Sequence, residues 1–116
     1  MRTLVYEAAA RLGVPLRDMS DDVCYWGGFY GQTADGRPLP RYIGVTALVR
    51  RISTLSAGIT EMGCHPAETD DLETMYLTER RREVRTLCDP RVKAALTTAE
   101  VALRSFHAVR NTGYPC

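Results

Sequence analysis

The chain has 116 residues, 45% of them hydrophobic and 25% charged, with a formal net charge of +1. That length and composition suit one folded domain with a packed core, and the near-zero charge, with basic and acidic residues interleaved, offers no field for gathering nucleic acid or an acidic membrane surface. No apolar stretch approaches the roughly 20 residues that span a bilayer, and the N-terminal MRTLVYEAAARLGVP carries charges where a secretory leader needs an unbroken apolar run. A cytoplasmic protein is expected.

In chain order, Leu4, Val5, Ala8, Ala9 and Leu12 recur at helical spacing and Gly13 supplies a stop, so the first helix is predicted over 2–12. VPLRDM, 14–19, reads as a short strand. The following SDDVCYWGGFYGQTADGRPLP, 20–40, reads as an irregular loop, punctuated by glycine and proline yet too aromatic for disorder. Its Tyr25, Trp26, Phe29 and Tyr30 suit either a cover over the core or a wall for a ligand.

A second helix is predicted over 45–55, with Val45, Leu48, Val49 and Ile52 on one face. GITEMGCH, 58–65, reads as the central strand. After Pro66 a helix is predicted from about 71 to 88, with Thr69, Asp70 and Asp71 as capping candidates and Leu72, Met75, Tyr76, Val84 and Leu87 facing inward. ERRRE, 79–83, is assigned to its wet side, with Glu79 and Glu83 pairing locally with Arg80 to Arg82. Asp89 and Pro90 open a further helix over 89–100, since proline in the first turn forfeits no helical bond. VALRSFHAV, 101–109, reads as a last strand. This alternation predicts an α/β fold with crossover connections and mostly parallel strands.

The four cysteines, Cys24, Cys64, Cys88 and Cys116, are widely spaced and form no CxxC pair, so reduced thiols are expected. A zinc site is disfavoured, because adjacent Cys64 and His65 would point to opposite faces of a strand. His65 itself is better placed. In a parallel α/β sheet the C-terminal strand ends collect ligand-binding and catalytic groups. Glu61, four residues earlier, would share a strand face with His65, and a carboxylate beside an imidazole makes an acid/base or orienting pair. The plainer alternative is that both cap neighbouring backbone. His107 reads as a packed or exposed histidine.

The stretch GITEMGCHPAETDDLETMY resembles the strand-and-turn motif of the YdjC/ChbG-like carbohydrate deacetylase family, including its HpnK-type members, in which a Gly-x-Thr-Glu strand ends in Cys-His-Pro. The likeness extends upstream through ARLGVPLRD and GGFYGQTADGRPLP. Downstream it takes in Tyr76, Arg80, Glu83, Leu87, Asp89, Pro90, Arg91, Val92 and Phe106, so that it covers about 2–106. Ala67 departs from the glycine usual after His-Pro. The resemblance implies a metal-dependent hydrolase that removes N-acetyl groups from amino sugars or glycolipid-like substrates, on a distorted (β/α) barrel.

Within that likeness His65 is the candidate proton donor or orienting group and Glu61 its holder, while Trp26 and Tyr30 are candidate sugar walls. The family's divalent ion is held by aspartate and histidine motifs that precede the matched region and do not occur in this chain, so no residue here is assigned as a metal ligand. Complete barrels run to roughly 250 residues, and the chain therefore resembles the C-terminal half of one. A homo-oligomer or a complementing N-terminal portion is expected beside the carbohydrate substrate. The contrasting expectation is a non-catalytic α/β module that keeps the family's packing and lacks its chemistry.

Overall fold

The structure is a computed structural model that describes residues 2–16 and 23–106. The chain divides into two compact units, one formed by 1–23 and 102–116 and the other by 24–101. In the first, α1 (Arg2–Leu12) forms as its spacing predicts. Gly13, at φ +65, takes the left-handed turn that ends it, and the Gly13 and Val14 N–H groups donate to the carbonyls of Ala10 and Ala9. Leu4 and Leu12 are about seven-tenths exposed, so α1 displays much of its apolar surface.

The strand predicted over 14–19 does not form at 14–16, and the rest of it lies outside the described residues. The last strand is also absent where it can be seen. Residues 101–105 have no regular structure, Phe106 is helical, and His107 is outside the described residues.

The second unit holds β1 (Val23–Trp26) from Cys24 on, α2 (Val45–Ser53), β2 (Ile59–Met62), α3 (Thr78–Leu87) and α4 (Pro90–Thr98), with a 3-10 turn at Pro40–Ile43 before α2. The two strands pair in parallel, so the fold is α/β, with four α-helices among the described residues. The loop predicted over 20–40 thus conceals a strand: only four residues long, β1 is too short for its pattern to stand out beside the glycines that follow. The Gly63 N–H extends the pairing by donating to the Trp26 carbonyl at 3.1 Å.

Phe29, Ile43, Leu48, Ile52 and Val92 make the buried core, with Trp26, Val49, Met62, Leu87 and Leu96 packed around it. The predicted apolar face of α2 supplies Leu48 and Ile52. In α4 the Asp89 side chain caps the helix by accepting from the Arg91 N–H, with Pro90 in the first turn as expected.

The third predicted helix is corrected most. It begins at Thr78 rather than near 71, and Leu72 and Met75, expected inside, are 51% and 68% exposed. Thr69, Asp70 and Asp71 lie in the irregular approach, where Thr69 donates to Asp71 and Arg81 pairs with Asp70. The inward face of α3 is Glu79, Glu83 and Thr86, spaced four and three apart, so both glutamates assigned to solvent are buried. Each has a reason to be there. Glu79 accepts from the Gln32 side chain, Glu83 accepts from Tyr76 and from the His65 N–H, and Thr86 donates to the Ile43 carbonyl at 2.6 Å.

Candidate functional site

The segment after β2 and the segment after β1 meet over the start of α3. The order of the sheet brings this about, since β1 and β2 are parallel neighbours and their following residues leave from the same end. Tyr30 follows β1 by four residues, and His65 follows β2 by three. Tyr76 stands between them.

The rings of Tyr30 and Tyr76 stack with centroids 4.6 Å apart and planes within 5°, an offset of charge distributions that aromatic faces tolerate when displaced. The His65 imidazole meets both edge-on, 5.6 Å from Tyr30 and 5.7 Å from Tyr76. Tyr76 is buried at 6% exposure, whereas Tyr30 and His65 are exposed, so two of the three rings can be reached by a solute.

Beneath the rings lies Glu83, with no exposed surface. Its Oε1 accepts from the Tyr76 hydroxyl at 2.5 Å and its Oε2 from the His65 backbone N–H at 2.5 Å. The Tyr76 oxygen in turn accepts from the Gly31 N–H at 2.9 Å. Burial, followed by the hydrogen bond to Glu83, pushes the Tyr76 hydroxyl far above its ordinary range, so it stays a donor at any physiological pH. The Cys64 thiol is also pushed up, first by burial and then by the Glu83 charge, which makes it a poor nucleophile.

Gln32 braces the other side, donating to the Met75 carbonyl at 2.7 Å and to Glu79 at 3.1 Å. Gly31 is required by close packing: a Cβ there would stand 2.7 Å from Ile43 Cδ1 and 3.1 Å from Glu79 Cγ. The chain reverses at 33–36, where Gly36 adopts φ +82, and Gln32 and Pro38 pair across the turn.

Of the residues singled out in the sequence, Tyr30 and His65 are brought together. Trp26 belongs to a different neighbourhood, with its ring 6.3 Å from Phe29, beneath the Arg51 guanidinium at 5.2 Å, and against the core. Glu61 lies half-buried on β2, which ends at Met62, so the strand alternation that would align it with His65 stops three residues short. Sequence reasoning gave Glu83 and Gln32 no part in the site. Nothing in the apolar pattern marks them, because their burial depends on partners 7 and 18 residues away for Glu83 and 43 to 47 residues away for Gln32.

The described residues contain no group of three or more histidine, cysteine, aspartate or glutamate side chains arranged to hold a metal ion. One imidazole is insufficient for a divalent ion, and Glu83 spends both oxygens on protein donors. The described residues do not fit a metal centre by themselves. No helix among the described residues is long and apolar enough to cross a membrane. A scan against protein-family models returns no match, and no curated protein or solved structure matches the chain significantly.

Proposed function

We propose that the chain is the C-terminal portion of a metal-dependent carbohydrate deacetylase, a hydrolase that removes the N-acetyl group of an amino sugar or glycolipid-like substrate. The observation that carries the reading is convergence: Tyr30 from the segment after β1, and Tyr76 and Glu83 from the approach to and body of α3, all within the stretches that resemble the deacetylase family, gather around His65 of the Cys-His-Pro motif. In this reading the partial α/β fold belongs to a distorted (β/α) barrel, and the setting is cytoplasmic. Any catalytic ion is held by ligands from outside the described residues, supplied by a preceding portion or by another chain.

The roles follow from chemistry. Amide hydrolysis needs a proton delivered to the departing amine, and His65 has an accessible imidazole held against two rings for that purpose. Tyr30 offers the aromatic face that packs against the apolar side of a pyranose, while Trp26, against the core beneath Arg51, lies in a different neighbourhood from it. Glu61, on β2, is the candidate holder of His65 in this reading. The alternative reading is a non-catalytic α/β module that keeps the family's packing and lacks its chemistry.

Hydrolysis separates the two. Free amine released from N-acetylglucosamine oligomers is measured with Zn²⁺, Co²⁺ or Mg²⁺, using wild type and His65→Ala, alone and with a complementing N-terminal portion. Metal-dependent release that falls by about 10²- to 10⁴-fold in His65→Ala supports the deacetylase. Sugar binding with no release under any of these conditions supports the module, and release indifferent to His65 removes the proposed role.

A further inference from the structure

We infer that Glu83 is the positioning residue of this site, holding the His65 segment directly and the Tyr30 segment through Tyr76. The inference rests on the reading of His65 and Tyr30 as the substrate-facing pair. A fully buried carboxylate is kept in a fold only where donors replace the water it has lost, and Glu83 has two, one on each oxygen. Both come from residues of the ring cluster.

The connections have a direction. The Tyr76 hydroxyl has a single proton, which goes to Glu83 Oε1, leaving its oxygen to accept from the Gly31 N–H beside Tyr30. The His65 N–H goes to Glu83 Oε2. One carboxylate thereby joins the backbone after β2 to the backbone after β1, across a gap that no strand pairing reaches. An amide at position 83 has a single accepting oxygen, and its NH2 group only donates, so it cannot accept at both of the places where the two donors stand. The acid is required because the site has two donors to collect, and its burial beneath the rings keeps water from competing for them.

This arrangement makes the two bonds separable. Glu83→Met, of similar length and without polar atoms, removes the acceptor for His65, whereas Tyr76→Phe removes the acceptor for Gly31 and leaves Glu83 Oε2 on the His65 N–H. The test is amide hydrogen exchange at His65 and Gly31 in both variants of the full chain, with N-acetylglucosamine affinity from NMR titration. Glu83→Met is expected to speed His65 exchange by about tenfold or more while the amides of α2 and α4 keep their protection. Tyr76→Phe is expected to speed Gly31 and spare His65.

Sugar affinity is expected to fall about fivefold or more in Glu83→Met. Where Glu83→Met fails to fold, the Tyr76→Phe pattern decides by itself. Equal acceleration at both amides, acceleration at neither, or undiminished sugar affinity in Glu83→Met overturns the inference. A wild-type chain that binds no sugar refutes the carbohydrate reading instead, and the exchange pattern still judges the hold of Glu83 on the two segments.

Discussion

Replacing Tyr76 by phenylalanine deletes one oxygen and leaves the stacked ring in place, so it isolates the hydroxyl. That oxygen donates to Glu83 and accepts from the Gly31 N–H, and all three groups are buried. A hydrogen bond to a charged acceptor contributes about 1.5–3 kcal/mol and a stranded buried N–H costs about 1–3 kcal/mol. Some relaxation is shared between them, so the loss should be about 2–4 kcal/mol. Urea unfolding measures it, as a lower midpoint at an unchanged slope. Tyr30→Phe, whose hydroxyl is on an exposed ring, should change stability by less than about 0.5 kcal/mol. A Tyr76→Phe loss below that same limit would refute the reasoning.

The pH dependence gives the same hydroxyl a second signature. Its pKa in the folded chain is raised above the ordinary value of 10.0, so the neutral form is the one the fold prefers. Stability from this group is complete below pH 10 and declines as the pH climbs, because the unfolded chain releases a proton that the folded chain retains. The slope approaches about 1.4 kcal/mol per pH unit for one proton. Tyr76→Phe should remove that decline.

Two further predictions concern the frame around the site. Gly31→Ala forces a Cβ against Ile43 in the core and should cost about 1–3 kcal/mol, while Gly63→Ala meets chiefly the hydroxyl end of the exposed Tyr25 ring, which can move aside, and should be the milder of the two in the same urea assay. Asp89→Ala should lower the thermal midpoint by uncapping α4. Hydrogen bonds from Arg91 hold the Asp89 carboxyl below its ordinary 3.8, so its contribution is present above that pH and lost as acid is added, a midpoint decline on acidification that the variant should lack.

The elements legible in the sequence were those whose local chemistry agrees with their surroundings. In α1, α2 and α4 the apolar period, the Gly13 stop and the Asp89–Pro90 start each act within a few residues, and β2 announces itself by its apolar run. In α3 the helical period is present but written in Glu79, Glu83 and Thr86, residue types that a hydrophobicity pattern assigns to solvent. Their burial is explained only by donors arriving from Gln32, Tyr76 and the His65 backbone, and by the Ile43 carbonyl that Thr86 reaches. Position after a strand singled out His65, whereas Tyr30 stood out only as one of the aromatics of a segment read as loop, because β1 before it went unpredicted. The carboxylate beneath them became visible only once the chain had folded.

The central claim is that Tyr30 and His65 form the face on which an acetylated amino sugar sits. The most direct measurement follows the ring signals of Tyr30, His65 and Trp26 by NMR as N-acetylglucosamine is added, with glucose as the sugar lacking the amide and Tyr30→Ala as the protein lacking the wall. The account predicts that the Tyr30 and His65 signals move together and saturate, that glucose moves them less, and that Tyr30→Ala abolishes saturation. Signals that stay in place, or that respond identically to glucose and in Tyr30→Ala, would contradict it.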